Sequence, residues 1–389
     1  MNYILFDGTV RKALLPFTFT KPVAELRIGI LTIREKWEKY LGFTTTTLTE
    51  EYLQDKFPIV EMEQNVMINA SFLPTKGLVE KIIDLKENQA IFSNEDVIAF
   101  YSTDTQEEID FSKYQQIEFD FELIQIKNTW DLFLFNEKAI KADFQLITSG
   151  RRSQPIPEGI QFLNKKNIFI EEGAEILFST LNASTGPIYI GKNTLIMEGS
   201  SIRGPFSMGA YSVLKMGTKV YGATTVGPKC TIGGEVKNSI LFKNSNKGHD
   251  GYLGNAVIGE WCNLGADTNN SNLKNDYSEV RLWSYATENF AKTGLQFCGL
   301  MMGDHSKCAI NTMFNTGTVI GVSANIFGSN FPRNFIPSYS RGGAAGFSTY
   351  RLDKALEAAT LVMERKDELF DEKEQKILAH VYELTKKYR

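Results

Sequence analysis

From Ile190 onward the chain carries an apolar residue at every sixth position: Ile190, Ile196, Ile202, Met208, Leu214, Val220, Val226 and Ile232. Glycine directly follows four of them, as Gly191, Gly209, Gly227 and Gly233. With 42% hydrophobic residues, eight successive hits arise by chance in about one frame in a thousand. The period returns at Ile258 and Leu264, and again at Met302, Cys308, Phe314, Ile320 and Ile326. Six matches neither the turn of a helix nor the two-residue alternation of a half-buried strand. It predicts a parallel β-helix whose triangular coil uses about three hexapeptides, roughly 18 residues. Each aliphatic would point into the prism, and the small residue beside it would permit a tight corner. Stacked coils would then bury one continuous column that no single coil could bury. An antiparallel sandwich would instead show period-two alternation between irregular turns.

The period breaks at Lys237–Gly254 and at Asn270–Gly299. Such breaks are expected to form loops outside the prism, where solenoids commonly carry function. Before the repeats the pattern is mixed. "NYILF" and "NVMINA" read as buried strands, whereas "LVEKIIDLKENQ" and "TWDLFLFNEKAIKADF" have helical spacing. Alternating elements of this kind predict an α/β layer. After the repeats, Leu352, Ala355, Leu356, Ala359, Val362 and Met363 share one helical face, and Ile377, Leu378, Val381, Tyr382 and Leu384 continue a second. A helix capping the open end of the prism is expected to protect its last coil. The segments predicted are 1–160, 161–345 and 346–389.

A net charge of -4 speaks against nucleic acid as a partner, since such binders carry a basic face. Four cysteines, Cys230, Cys262, Cys298 and Cys308, form no CxxC pair, which argues against a zinc ribbon or a disulfide framework. The start, MNYILFDG, reads as a strand rather than a signal peptide. No apolar run approaches the roughly 20 residues a membrane span needs. A reducing, cytoplasmic location with no membrane partner is the expectation.

Candidate chemistry centres on "NSNKGHDGYLGN", residues 244–255, which holds one of only three histidines. A histidine is the natural proton acceptor near neutral pH, and nearby lysines such as Lys243 and Lys247 could anchor a phosphate. Taken alone, His249 reads more readily as an inert surface residue. Zinc would need three histidines, and only His249 and His305 lie among the repeats. His380 falls on the terminal helix, where a surface or packing role is expected.

Residues 235–272, "EVKNSILFKNSNKGHDGYLGNAVIGEWCNLGADTNNSN", resemble the acetyltransferase domain of the bifunctional UDP-N-acetylglucosamine diphosphorylase/glucosamine-1-phosphate N-acetyltransferase family. The resemblance covers about 190–335, and residues 1–25 weakly. It implies a left-handed parallel β-helix, with His249 as catalytic base. It also implies Lys215, Lys237, Tyr252, Asn263 and Asn272 as substrate-binding residues and Ala266 as an acetyl-CoA contact. Lys215 stands where the family usually has an arginine, which loses the bidentate fork. Asp267 replaces a glycine. The role of His305 is open between cofactor contact and structure, and Arg333 and Arg341 are candidates for the phosphates of coenzyme A or for plain surface.

Nucleotidyltransferases of the same superfamily begin with a strand and a glycine loop that cradles phosphates. "ILFDGTVRKALLPFTFTKPVAEL" keeps Gly8, Arg11 and Lys21 as nucleotide-binding candidates. It lacks the second glycine, and Val23 sits where a lysine belongs. Ala70–Ser71 replaces the metal-binding aspartate motif, and the region is shorter than in the full enzyme. This resembles the shortened, divergent version fused to the same β-helix in Bacteroidetes-type proteins. The resemblance therefore implies acetyl transfer from acetyl-CoA to an amino-sugar phosphate, glucosamine-1-phosphate above all, in a homotrimer. Uridylyl transfer from UTP, with Mg²⁺, is implied only if the first domain works. The alternatives are a nucleotidyltransferase whose β-helix serves assembly alone, and a non-catalytic scaffold.

Overall fold

The computed structural model describes residues 2–103 and 109–389. A six-stranded sheet opens the chain, with Asn2–Phe6 parallel to both Thr46–Leu48 and Asn65–Asn69. Asp96–Ser102 then runs antiparallel to Asn65–Asn69, and the strands Gln89–Ser93 and Gln115–Glu118 complete the order. Val66, Met67 and Ile68 are all buried, the unbroken apolar reading of a strand covered on both faces. Helix Ile33–Leu41 starts at a Thr32/Glu35 capping box and stops at Gly42, whose φ of 75° suits a residue without Cβ. The helix expected through residue 89 ends earlier, as Lys76–Ile83, and a strand begins at Gln89. "TWDLFLFNEKAIKADF" resolves into two helices, Asp131–Leu134 and Asn136–Thr148.

The hexad region is a parallel β-solenoid of three sheets. One holds nine strands from Ile168–Ile170 to Phe335–Ile336, and a second runs from Glu175–Ile176 to the strand Gly346–Thr349. The third runs from Gln161–Leu163 to Tyr252–Gly254 and is continued by Asn269–Asn270, which pairs with Met313–Phe314. The eight hexad residues from Ile190 to Ile232 all point into the core, none more than 2% exposed. Stacking parallel strands in register is what turns a sequence period of six into a single buried file.

Only one of the two breaks leaves the prism. Asn270–Gly299 does: it carries an antiparallel hairpin of Arg281–Ser284 with Asn289–Lys292. Lys237–Gly254 does not, contrary to expectation. Register steps from Met208 to Val226, Leu241 and Ile258, intervals of eighteen, fifteen and seventeen residues. The coils are merely shortened there, and the shortening shifts the frame of the period. Leu241, Lys247 and Leu253 continue it at the new phase, each buried.

The C-terminal helices, Leu352–Glu364 and Glu372–Leu384, also depart from expectation. They do not cap the end of the prism. The last coil edge, Ser340–Gly343, is paired instead by its own antiparallel strand, Gly346–Thr349. The helices lie along the flank, where Lys229 pairs with Glu368 at 2.5 Å and Tyr339 donates to the Leu378 carbonyl at 2.7 Å. The α/β domain packs on the nine-stranded face, where the Gly29 carbonyl accepts from Thr225 at 2.8 Å and the Asn136 amide donates to the Ala223 carbonyl at 2.9 Å. Phe17 packs on Phe242 with ring centroids 5.6 Å apart, and Phe19 meets Tyr285 of the excursion edge-on at 5.1 Å. One apolar cluster thus runs through all three segments.

Candidate active site

His249 lies at a corner of the prism, between strands Asn246–Lys247 and Tyr252–Gly254. Its side chain is exposed. The corner below is only Gly233–Gly234, between Thr231–Ile232 and Glu235–Lys237. Those glycines allow a close approach: a Cβ on Gly233 would stand 2.9 Å from the His249 nitrogen, and one on Gly234 2.9 Å from its carbonyl oxygen. Trimming the lower corner leaves the histidine corner projecting over it. In the coil above, Asp267 adopts φ 56°, the left-handed conformation that glycine takes most easily and Asp tolerates. The substitution of a glycine at 267 therefore keeps the turn.

Beside this corner the third sheet gathers polar groups from successive coils. Glu235 is in register with Tyr252, and Lys237 with Gly254. The Asn272 amide donates to the Tyr252 hydroxyl at 3.0 Å and to Asn255 Oδ1 at 2.8 Å. Asn269 Oδ1 accepts from the Tyr252 backbone at 2.8 Å. Tyr221 donates to Glu235 at 2.6 Å, and that bond lifts its pKa to about 12. The Lys237 ammonium sits over the rings of Tyr221 and Phe297, 5.7 and 5.6 Å from their centroids. Lys237, Tyr252 and Asn272 thus share one face, with His249 at its rim. Sequence reading missed Tyr221, Glu235 and Phe297, because only register brings them beside Lys237.

The remaining candidates divide. Lys215 and Ala266 occupy the same edge of the prism as His249, in coils below and above it, while Asn263 is exposed on the adjoining sheet, in register with Asn246. Lys243 and Lys247 do not flank the imidazole as expected. Lys243 stands at another edge, 3.8 Å from Glu260, and Lys247 points into the prism at 1% exposure. His305 also belongs to that other edge, buried against Trp261 and Phe370. Burial, with Lys307 and Lys21 nearby, holds its pKa well below the ordinary value. This placement makes it an interdomain packing residue, away from any cofactor at His249. Arg333 and Arg341 are exposed and lie over Phe347 and Phe327. His380 stacks on Tyr52 at 4.1 Å, a packing role.

In the α/β domain the glycine loop ends the strand Asn2–Phe6, at an open cleft of 450 Å³ lined by Asp7, Gly8, Arg11, Thr49, Glu50 and Glu51. Gly8 keeps φ 63°. The two cations are already engaged. Arg11 pairs with Asp7 at 2.7 Å and donates to Tyr52 at 3.2 Å. Lys21 is 4% exposed and bridges Asp304 at 2.5 Å and Glu260 at 3.0 Å, both on the solenoid. Burial opposes its charge, yet the two carboxylates hold its pKa above the usual lysine value. Burial would likewise raise Glu260, but Lys21 and Lys243 pull it below its ordinary range. The residues here do not fit Mg²⁺. The Asp7 carboxylate is filled by Arg11, the Thr49 hydroxyl and the Val23 amide, and Ala70–Ser71 offers no carboxylate. Among the described residues no cluster of three metal-ligating side chains forms. A larger cavity of 920 Å³ adjoins this cleft, walled by Tyr52, Tyr285, His380 and Tyr388 and not by His249.

Fold and site define a nucleotidyltransferase-type domain mounted on a parallel β-solenoid that displays a histidine corner. Residues 3–152 match the family described as sugar nucleotidyl transferase. Among curated relatives, the "Bifunctional protein GlmU" of Methanocaldococcus jannaschii is 37% identical over 89 residues, 22% of this chain and 21% of that one. The protein of the same name from Methanococcus vannielii is 27% identical over 232 residues, 57% of this chain and 47% of that one. A "Bifunctional sugar-1-phosphate nucleotidylyltransferase/acetyltransferase" from Sulfurisphaera tokodaii is 33% identical over 93 residues, 24% of this chain and 23% of that one. The chain is similar over part of its length to the GlmU proteins, and the match spans about half or less of these relatives' length. No helix among the described residues is long and apolar enough to cross a membrane.

Proposed function

We propose that the protein acetylates the amine of an amino-sugar phosphate, glucosamine-1-phosphate above all, using acetyl-CoA. The carrying observation is the exposed His249 at the rim of the face that holds Lys237, Tyr252 and Asn272. A sugar ammonium must lose a proton before it can attack a thioester, and an imidazole is suited to take it. That first proton is released to solvent; the amine nitrogen then bonds to the acetyl carbon and gives its second proton to the imidazole, the carbon–sulfur bond breaks, and the imidazolium passes this proton to the departing thiolate. Lys237 would anchor the phosphate, with Tyr252 and Asn272 fixing the sugar, while Lys215, Asn263 and Ala266 complete the edge along which sugar and coenzyme A meet. The test is direct: acetyl-CoA and glucosamine-1-phosphate are incubated with the protein and free thiol is followed. Absence of thiol release above the uncatalysed rate overturns the proposal.

Lys237→Ala is expected to raise the sugar-phosphate KM about tenfold with kcat changed less than about threefold, because an anchoring charge binds ground and transition states alike. An unchanged KM counts against the phosphate assignment. A homotrimer in the cytoplasm fits the same reading. Exposed Phe178, Met216, Ile310 and Phe327 lie on the edge that carries His249, and a neighbouring prism would cover them. Light scattering should give three times the chain mass of 43.8 kDa, and a monomer would contradict it.

The family match of residues 3–152 favours a second reading, uridylyl transfer from UTP, although the residues present do not fit Mg²⁺. The engaged Arg11 and Lys21 weigh against it. Pyrophosphate release from UTP and a sugar-1-phosphate decides the matter.

A further inference from the structure

Lys247 is a lysine within an aliphatic file. It is in register with Ile232, and the same inward file holds Ile196, Leu214, Leu264, Cys308 and Ile326. Burying an ammonium is unfavourable by several kcal/mol unless hydrogen bonds compensate. An aliphatic side chain would fill this space without that penalty. What the ammonium adds is two hydrogen bonds: it donates to the Gly233 carbonyl at 3.0 Å and to the His249 carbonyl at 2.7 Å.

We propose that Lys247 is a positioning residue for His249, tying the backbone of the catalytic corner to the coil below from inside the prism. The proposal rests on the reading of His249 as the base. The corner runs Gly248–His249–Asp250–Gly251, with a glycine on each side of His249–Asp250 and φ 111° at Gly251. Two glycines make this backbone intrinsically loose. The peptide after the histidine is therefore the natural point to anchor, since its carbonyl belongs to the residue whose ring must face the substrate. A displacement of about 1 Å in a reacting group can lower a rate about 100-fold.

Burial lowers the Lys247 pKa to about 8. Asp250 of its own corner and Asp267 and Cys308 of the coils above oppose that shift, and the coil below offers the Gly233 carbonyl. As pH rises through about 8 the ammonium becomes an amine, a weaker donor to both carbonyls. The wild-type kcat should therefore step down there. Stability moves the opposite way. With a folded pKa below the ordinary 10.5, the unfolded chain binds more protons between these values, so stability rises with pH over that interval. Activity lost while stability is gained is a signature that plain unfolding does not produce.

In the full chain, Lys247→Met is expected to lower kcat at least tenfold and to leave both KM values within threefold. The alkaline step in kcat should vanish while the melting temperature holds. Normal kcat in this variant overturns the proposal, as does a kcat loss matched by a fallen melting temperature with the alkaline step retained. Should the variant not fold, a wild-type kcat flat from pH 7 to 10 overturns it equally. If His249→Ala is inactive and Lys247→Met is normal, only the positioning role fails. If His249→Ala is active, the reading of the base fails.

Discussion

His249→Ala is expected to lower acetyl transfer by about 10²–10⁴-fold, the usual contribution of a positioned general base. The fold should survive. The imidazole is exposed, and the contacts that hold the corner are made by backbone: the carbonyl accepts from Lys247, and the Asp250 carbonyl accepts from the Asp267 amide at 3.1 Å. The loss should fall on kcat and on kcat/KM alike, because a base acts on the proton only as the amine attacks. Circular dichroism and melting temperature should match the wild type. Activity within about threefold of the wild type would remove His249 from the mechanism, and would revive the scaffold alternative.

The second large effect concerns stability. Lys21→Met should destabilise the union of the α/β domain with the solenoid by about 3–5 kcal/mol, because Asp304 would remain buried without its cation and Glu260 would keep only Lys243, 3.8 Å away. Asp304 also accepts from Thr20 at 2.6 Å and from the Glu260 amide at 2.8 Å, so it has no freedom to turn towards water. A fall in melting temperature of roughly 4–6 °C is expected. The pH dependence has a defined sign. Glu260 has a depressed folded pKa, so its share of the stability is present above its ordinary value of 4.5 and is lost as pH falls below it. Lys21 has a raised folded pKa, so its share persists through neutral pH and is lost only in strong alkali. The gap between wild type and variant should therefore hold near pH 7 and narrow in acid. If Lys21 instead binds nucleotide phosphate, the variant keeps its melting temperature and loses pyrophosphate release. An unchanged melting temperature removes the interdomain role.

The amino-acid order alone determined the solenoid. A file of aliphatics six residues apart has one efficient way to leave water, and each strand of the prism repeats that local rule. The resemblance of residues 235–272 to a known family marked His249, Tyr252, Lys237 and the asparagines, because the motif that carries it is local in the chain. The shortened coils hid more. Three residues fewer between Val226 and Leu241 shift the period, so a regular stretch looked like a loop, and Lys247 looked like a phosphate anchor although Leu241–Lys247–Leu253 keeps the interval of six. Only the tertiary structure decided that Lys247 points inward, that Lys21 is spent on Asp304 and Glu260, and that the C-terminal helices lie along the flank. The reason is physical. Periodicity reports which residues avoid water along one segment, whereas the partner of a buried charge can be hundreds of positions away, as Lys21 and Asp304 are. Such pairings are set by how separate segments pack, and no local pattern of hydrophobic and polar residues carries them.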